Sequence, residues 1–285
     1  MRKHGIIAAT ATLALALGGA VFSASAAQAD TAAEPGPATL VHDDGALWYK
    51  AAAGQTNRLA VSVKVVDVDP SQFGEDFQIT FRDQVDMAID ASASQWDSCV
   101  HPSATDRGVV QCTIAAPLGS DDSTTYEADL GDGDDTATIG PDGGAIAALH
   151  GGAGDDVLKG EGQIQYNGDD GDDRIDGGGS GLGANGGDGD DTITGACAYN
   201  CHGDAGNDSL TGTGDINALY GDDGNDVIHA KADNDEVYGG KGNDTLYGED
   251  GNDTMYGNSG DDVLYGGRGT DTLSGGPGTN RVYQD

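Results

Sequence analysis

The sequence predicts an all-β chain in which short parallel strands wind into a stacked β-roll of nonapeptide repeats, preceded by an N-terminal β domain or cap. Three observations predict it. Residues Gly239 to Tyr283 read as five uninterrupted nine-residue copies: GGKGNDTLY, GEDGNDTMY, GNSGDDVLY, GGRGTDTLS and GGPGTNRVY. Upstream, weaker copies keep an acidic sixth position at intervals of mostly 17 or 18 residues. The segment before them instead places apolar residues at every second position, the period of half-buried strands.

Within each copy glycine holds positions one and four, Asp or, once, Asn280 holds position six, an aliphatic holds position eight and Tyr usually holds position nine. This is the G-G-x-G-x-D-x-U-x pattern of parallel β-rolls. The glycines permit positive φ and close backbone approach, so the first six residues form a tight turn whose carbonyls converge. The last three form a short strand that turns position eight inward and seven and nine outward. Two repeats make one coil, so turns 18 residues apart stack and turns nine apart lie on opposite sides.

One stack is Asp135, Asp156, Asp173, Asp191, Asp208, Asp226, Asp244, Asp262 and Asn280. On the other side the good rows carry Asp253 and Asp271, preceded by poorer rows with Asp235 and Asn217. Earlier rows there, from Gly160 and Gly195, have lost the motif. A column of carboxylates and carbonyls suits a hard cation, and Ca²⁺ takes six to eight such oxygens. The expected carbonyl donors are the loop glycines Gly133, Gly154, Gly171, Gly189, Gly206, Gly224, Gly242, Gly251, Gly260 and Gly269. With each ion between stacked turns, roughly eight to ten Ca²⁺ are expected, bound at about 10⁻⁴ to 10⁻³ M as in extracellular modules. One aliphatic per nine residues offers too little burial to offset chain ordering, so the roll is expected to fold only as calcium binds.

The chain opens with Met1-Arg2-Lys3-His4, an apolar run from Ile6 to Phe22, and Ala27-Gln28-Ala29. That is a secretory leader over residues 1–29 with an A-x-A cleavage site. No comparable apolar run follows, so no membrane span is expected and the mature protein should be secreted. With 49 acidic against 13 basic residues and a net charge of −36, the surface repels nucleic acid and anionic membrane and attracts cations. Acidic disorder is the alternative that composition favours, but disorder does not hold glycine and Asp in nine-residue phase.

Residues 30–129 form the expected N-terminal β domain, with Leu59/Val61/Val63/Val65, Phe77/Ile79/Phe81, Val85/Met87/Ile89 and Val110/Cys112/Ile114 as strands. Trp48, Tyr49 and Trp96 are expected in its core, and Gly119–Ser123 as a turn before Tyr126/Ala128/Leu130. Residues 130–285 are the calcium-binding β-roll. In an exported chain the four cysteines favour disulfides, and local pairing, Cys99 with Cys112 and Cys197 with Cys201, is preferred among three connectivities. Zinc at Cys197, Cys201 and His202 is the alternative, with only half a site present.

From Gly131 onward the motif resembles the hemolysin-type calcium-binding repeat family, also called repeats-in-toxin or RTX, over a little more than half the chain. The resemblance implies a right-handed parallel β-roll with Ca²⁺ held by the sixth-position aspartates and loop carbonyls. Composition, leader and the Cys-containing segment also resemble secreted actinobacterial calcium-binding proteins. Family members exported in one step carry a further C-terminal signal; this chain ends at Gln284-Asp285, which implies the general export route.

No effector domain accompanies the repeats: neither H-E-x-x-H nor G-x-S-x-G occurs, and six scattered histidines are expected to be solvated. The leading expectation is therefore a non-enzymatic, secreted calcium-binding protein with a structural or surface role. A calcium-dependent adhesin or carbohydrate-binding module is the alternative, with cell-wall glycan or another protein as partner. An enzyme with its site in the N-terminal β domain is a third. Tyr247, Tyr265 and Tyr283 should stack on one sheet and Tyr220, Tyr238 and Tyr256 on the other, mainly bracing strands. An uncapped last coil admits end-to-end self-association.

Overall fold

Two long sheets run side by side from the N-terminal segment to the last repeat. The computed structural model describes residues 35–66, 76–115, 124–141, 144–179, 181–197, 199–213 and 217–284. The leader expected over 1–29 and the turn expected at Gly119–Ser123 lie outside the described residues.

The N-terminal strands form where apolar residues alternate. Strand β1 (Ala38–Asp43) turns back into β2 (Ala46–Lys50), and β3 (Arg58–Val66) pairs antiparallel with β4 (Asp76–Arg82). Then come β5 (Met87–Ile89), the short helix α1 (Ala91–Trp96), β6 (Val109–Ala115), β7 (Tyr126–Asp129) and β8 (Thr136–Ile139). Helix α1 was not expected. Asp90 starts it by accepting the Ser92 N–H at 2.8 Å.

The winding continues through β9 (Ile146–Ala153), β10 (Val157–Gly160), β11 (Gln163–Asp170), β12 (Arg174–Asp176), β13 (Gly183–Asp188), β14 (Thr192–Thr194), β15 (Asn200–Ala205) and β16 (Ser209–Thr211). It ends through β17 (Ala218–Asp223), β18 (Val227–His229), β19 (Glu236–Lys241), β20 (Thr245–Asp250), β21 (Thr254–Ser259), β22 (Val263–Arg268), β23 (Thr272–Ser274) and β24 (Arg281–Tyr283). Odd-numbered strands from β7 to β23 stack in one sheet and even-numbered strands from β8 to β24 in the other. Every neighbour within each stack is parallel, with residues 18 apart in the last rows: Leu246 faces Leu264 and Tyr247 faces Tyr265. This is the expected parallel β-roll. The first sheet continues through β2, β1 and β5, and the second through β3, β4 and β6, so the N-terminal strands extend both stacks.

Position eight fills the interior. Leu158, Ile175, Ile193, Leu210, Ile228, Leu246 and Leu264 line one sheet, with Leu149, Tyr166, Leu219, Val237 and Met255 opposite, all buried. Strands β19 to β22 are six residues long, not three, because positions one to three still pair with the row 18 residues away, as Asp222 with Gly240 and Asp223 with Lys241. The turn proper is correspondingly shorter. In the N-terminal core Tyr49 is fully buried, but Trp96 is 66% exposed at the end of α1 and Trp48 is half-buried. Val85 lies just outside β5. Both expected disulfides form, Cys99–Cys112 and Cys197–Cys201. The sulfurs of Cys197 and Cys201 are bonded to each other, which removes the zinc alternative. Among the described residues no helix is long and apolar enough to cross a membrane.

Candidate metal centre

Each even-numbered strand from β8 onward starts one residue after a sixth-position side chain, so the sheet's register stacks those side chains in a column. The stack is hydrogen-bonded throughout. The N–H of Asp135 donates to Asp156 Oδ1 at 2.7 Å, Asp156 to Asp173 at 2.8 Å, Asp173 to Asp191 at 2.7 Å and Asp191 to Asp208 at 2.8 Å. The chain of bonds goes on from Asp208 to Asp226 and Asp226 to Asp244 at 2.9 Å each, Asp244 to Asp262 at 3.0 Å, and Asp262 to Asn280 at 2.7 Å. A second column on the opposite side runs from Asn217 to Asp235, Asp253 and Asp271 with bonds of 2.7, 2.9 and 3.1 Å. Both columns contain the residues expected from the sequence, in the expected order.

One carboxylate oxygen of each aspartate is used in this way. The other is not: the Oδ2 atoms of Asp135, Asp156, Asp173, Asp191, Asp208, Asp226, Asp235, Asp244, Asp253, Asp262 and Asp271 are buried without a hydrogen-bond partner. Orphaned anionic oxygens at this density are very costly unless a cation or proton meets them. A carbonyl lies beside the Oδ2 atoms of Asp156, Asp173, Asp191, Asp208, Asp226, Asp244 and Asp253. A Cβ built on Gly186 would lie 2.1 Å from Asp191 Oδ2 and 2.6 Å from the Gly203 carbonyl oxygen, and Gly168, Gly203, Gly221, Gly239 and Gly248 repeat the arrangement. At these positions glycine leaves open the space where the oxygens converge; the Asp135 and Asp235 rows carry Leu130 and Ala230 there instead. The position-four glycines stack carbonyl to backbone below them, as Gly224 O does under Gly242. Sequence reasoning named the position-four carbonyls and missed those of position one, although the invariant first glycine of the five good copies was the available signal.

The electrostatics agree. Burial, with added repulsion from neighbouring carboxylates, pushes Asp191 up to about 8 and Asp156 and Asp244 up to about 7. Asp135, Asp173, Asp208, Asp226 and Asp235 rise to about 6 for the same leading reason. Asp253 and Asp262 are raised as well. Such sites hold either a proton or a metal near neutrality, and an all-oxygen donor set with formal charge fits a hard divalent ion.

Outside the columns lie two aromatic ladders. His202, Tyr220, Tyr238 and Tyr256 stack with ring centroids 4.5, 4.9 and 5.2 Å apart, and His229, Tyr247, Tyr265 and Tyr283 with 4.5, 5.0 and 4.9 Å. The tyrosines group as expected; the two histidines were expected to be solvated and instead head the ladders. Each also bonds a carboxylate, His202 to Asp222 at 2.8 Å and His229 to Glu249 at 2.9 Å. His202, Asp204 and Asp222 bring possible ligand atoms within 4.8 Å of one another, a mixed nitrogen and oxygen set unlike the columns.

The sequence matches the RTX calcium-binding nonapeptide repeat (4 copies) over residues 148–163, 184–196, 202–237, 220–255, 229–264 and 247–282. The matched rows are RTX calcium-binding nonapeptide repeats. RTX nonapeptide repeats bind Ca²⁺, and the orphaned Oδ2 atoms and converging carbonyls described above are the donors such an ion requires. Asp135 and Asp173 lie outside the matched RTX segments yet occupy the same hydrogen-bonded column. Comparison with curated proteins gives no match.

Proposed function

We propose that this RTX protein is exported through the leader at residues 1–29 and works outside the cell as a calcium-dependent scaffold, with residues 30–129 as an N-terminal β domain and 130–285 as the roll. The observation that carries the reading is the set of eleven buried aspartate Oδ2 atoms without a hydrogen-bond partner. Calcium between rows would supply the positive charge these oxygens need. The residues that would hold it are the column aspartates from Asp135 to Asp262 and from Asp235 to Asp271, with glycine carbonyls of adjacent rows. What the chain contributes is spacing: parallel pairing fixes each row above the next, and the glycines let the backbone close around the oxygens. Two disulfides support an oxidising compartment.

The role we assign is structural, a rigid surface rather than a catalyst. The aromatic ladders favour bracing over glycan capture. Rings 4.5 to 5.2 Å apart cover one another's faces and present edges and hydroxyls outward, so sugar stacking is confined to the ladder ends.

Isothermal titration with Ca²⁺ tests the reading. Roughly eight to ten ions per chain are expected, with heat from coupled folding. Binding of one or two ions, or none, would overturn it.

A further inference from the structure

The first acidic row rests not on another acidic row but on Ala52–Ala60, a stretch without glycine at its first or fourth position. It occupies the same register. Arg58 to Val61 of β3 pair in parallel with Thr136 to Ile139 of β8, and Leu59 is buried like a position-eight residue. A Cβ on Gly133 would fall 2.7 Å from the Gln55 carbonyl oxygen, as one on Gly154 would fall 2.4 Å from that of Gly133. Asn57 therefore stands where later rows of this column carry Asp.

Its backbone bond matches theirs, but its side-chain bonds differ in kind. The Asn57 N–H donates to Asp135 Oδ1 at 2.5 Å, and its Nδ2 reaches that oxygen at 3.3 Å and the Leu130 carbonyl at 3.0 Å. On its other side the Tyr49 hydroxyl donates to Asp83 Oδ2 at 2.5 Å and lies 3.1 Å from Asn57 Oδ1. Gln55 closes the turn, accepting the Ala52 N–H at 2.8 Å and donating to Gly36 O at 2.6 Å. Tyr49, Gln55, Asn57 and Asp83 are all buried. Neutral amide hydrogens thus stand where lower rows offer bare carboxylate oxygen. The second column opens with the same device: Asn217 reaches Asp235 Oδ1 through its N–H at 2.7 Å and its Nδ2 at 3.1 Å.

We infer that Asn57 is a positioning residue that lets the Ala52–Ala60 row form without calcium and present a finished template to Asp135, so that calcium-driven folding of the roll starts at this row and travels toward β24. The surrounding strands have the means to fold first: Leu40, Leu47, Ile79, Phe81 and Val110 form an apolar core beside the Cys99–Cys112 disulfide. In a stacked array each row is stabilised by its neighbour, so a preformed row removes the cost of nucleation. The inference rests on the calcium reading of the columns.

Hydrogen exchange on the full chain tests it. In EDTA, amides of residues 52–66 should stay protected while those of the roll exchange, and added Ca²⁺ should protect β8 and β10 before β20 and β22. Asn57→Asp keeps the shape but sets a carboxylate against Asp135; residues 52–66 should lose protection in EDTA and regain it with calcium. Asn57→Ala should raise the calcium midpoint for β8 and β10 roughly tenfold, the scale of losing a hydrogen bond to a buried carboxylate. The inference is overturned by wild-type residues 52–66 exchanging as fast as the roll in EDTA, or by Asn57→Asp behaving as wild type or failing to recover with calcium. A wild-type roll equally protected with and without calcium would refute the calcium reading itself, and the inference with it.

Discussion

In EDTA at neutral pH the roll is expected to lose its β-structure, and millimolar Ca²⁺ to restore it cooperatively. The cause is the eleven buried Oδ2 atoms without partners. Ionised and metal-free, they repel one another down each column, and one interior aliphatic per row cannot compensate. Protons should substitute in part. The folded-state values of about 6 to 8 for Asp135, Asp156 and Asp191 lie above the ordinary 3.8, so folding is favoured by protonation. That contribution is fully present below pH 3.8 and is lost as pH rises through 6 to 8, each tenfold gain in proton affinity on folding being worth about 1.4 kcal/mol. Acidifying the EDTA sample from neutral toward pH 4 should therefore recover β signal, read by far-ultraviolet circular dichroism. An unchanged β spectrum in EDTA at pH 7 would contradict this.

Gly242→Ala is expected to be among the most damaging single methyl substitutions in the chain's good repeats. Gly242 has φ +130°, and a Cβ there would lie 1.6 Å from the Gly224 carbonyl oxygen, which is backbone of the adjacent row and cannot move without breaking the stack. The cost should exceed about 4 kcal/mol, the tail reserved for steric and backbone defects. Gly45→Ala is the control. It has φ +85° in the β1–β2 turn with nothing within 4 Å of the added methyl, so only the left-handed backbone is penalised, at about 1–2 kcal/mol. Thermal melts in saturating calcium would compare them, and equal losses would show that stacking at position four is not what glycine protects.

Column one was legible because two constraints act on the same residues. The nine-residue phase fixes which residues stack, and a carboxylate recurring in that phase between glycines needs a cation beside it. The N-terminal strands were legible by alternation, as at Phe77, Ile79 and Phe81, buried on one face of β4. The Ala52–Ala60 row was not legible. Ala52 and Gln55 stand where the repeat has glycine, and Asn57 in place of Asp breaks the only pattern that could have flagged it. Helix α1, six residues long, is too short to display a helical period. Trp96 was misplaced because aromatic content alone does not fix direction, and α1 turns that ring outward. His202 and His229 replace Tyr at position nine, so the stacking was implicit in the repeat once the histidines were read in its phase.

Crystals grown in millimolar calcium and measured for anomalous scattering test the ion columns most directly. Peaks are predicted beside the Oδ2 atom of each column aspartate, from Asp135 to Asp262 and from Asp235 to Asp271. Stacked turns with no peak between them, or calcium found only away from these oxygens, would contradict the assignment.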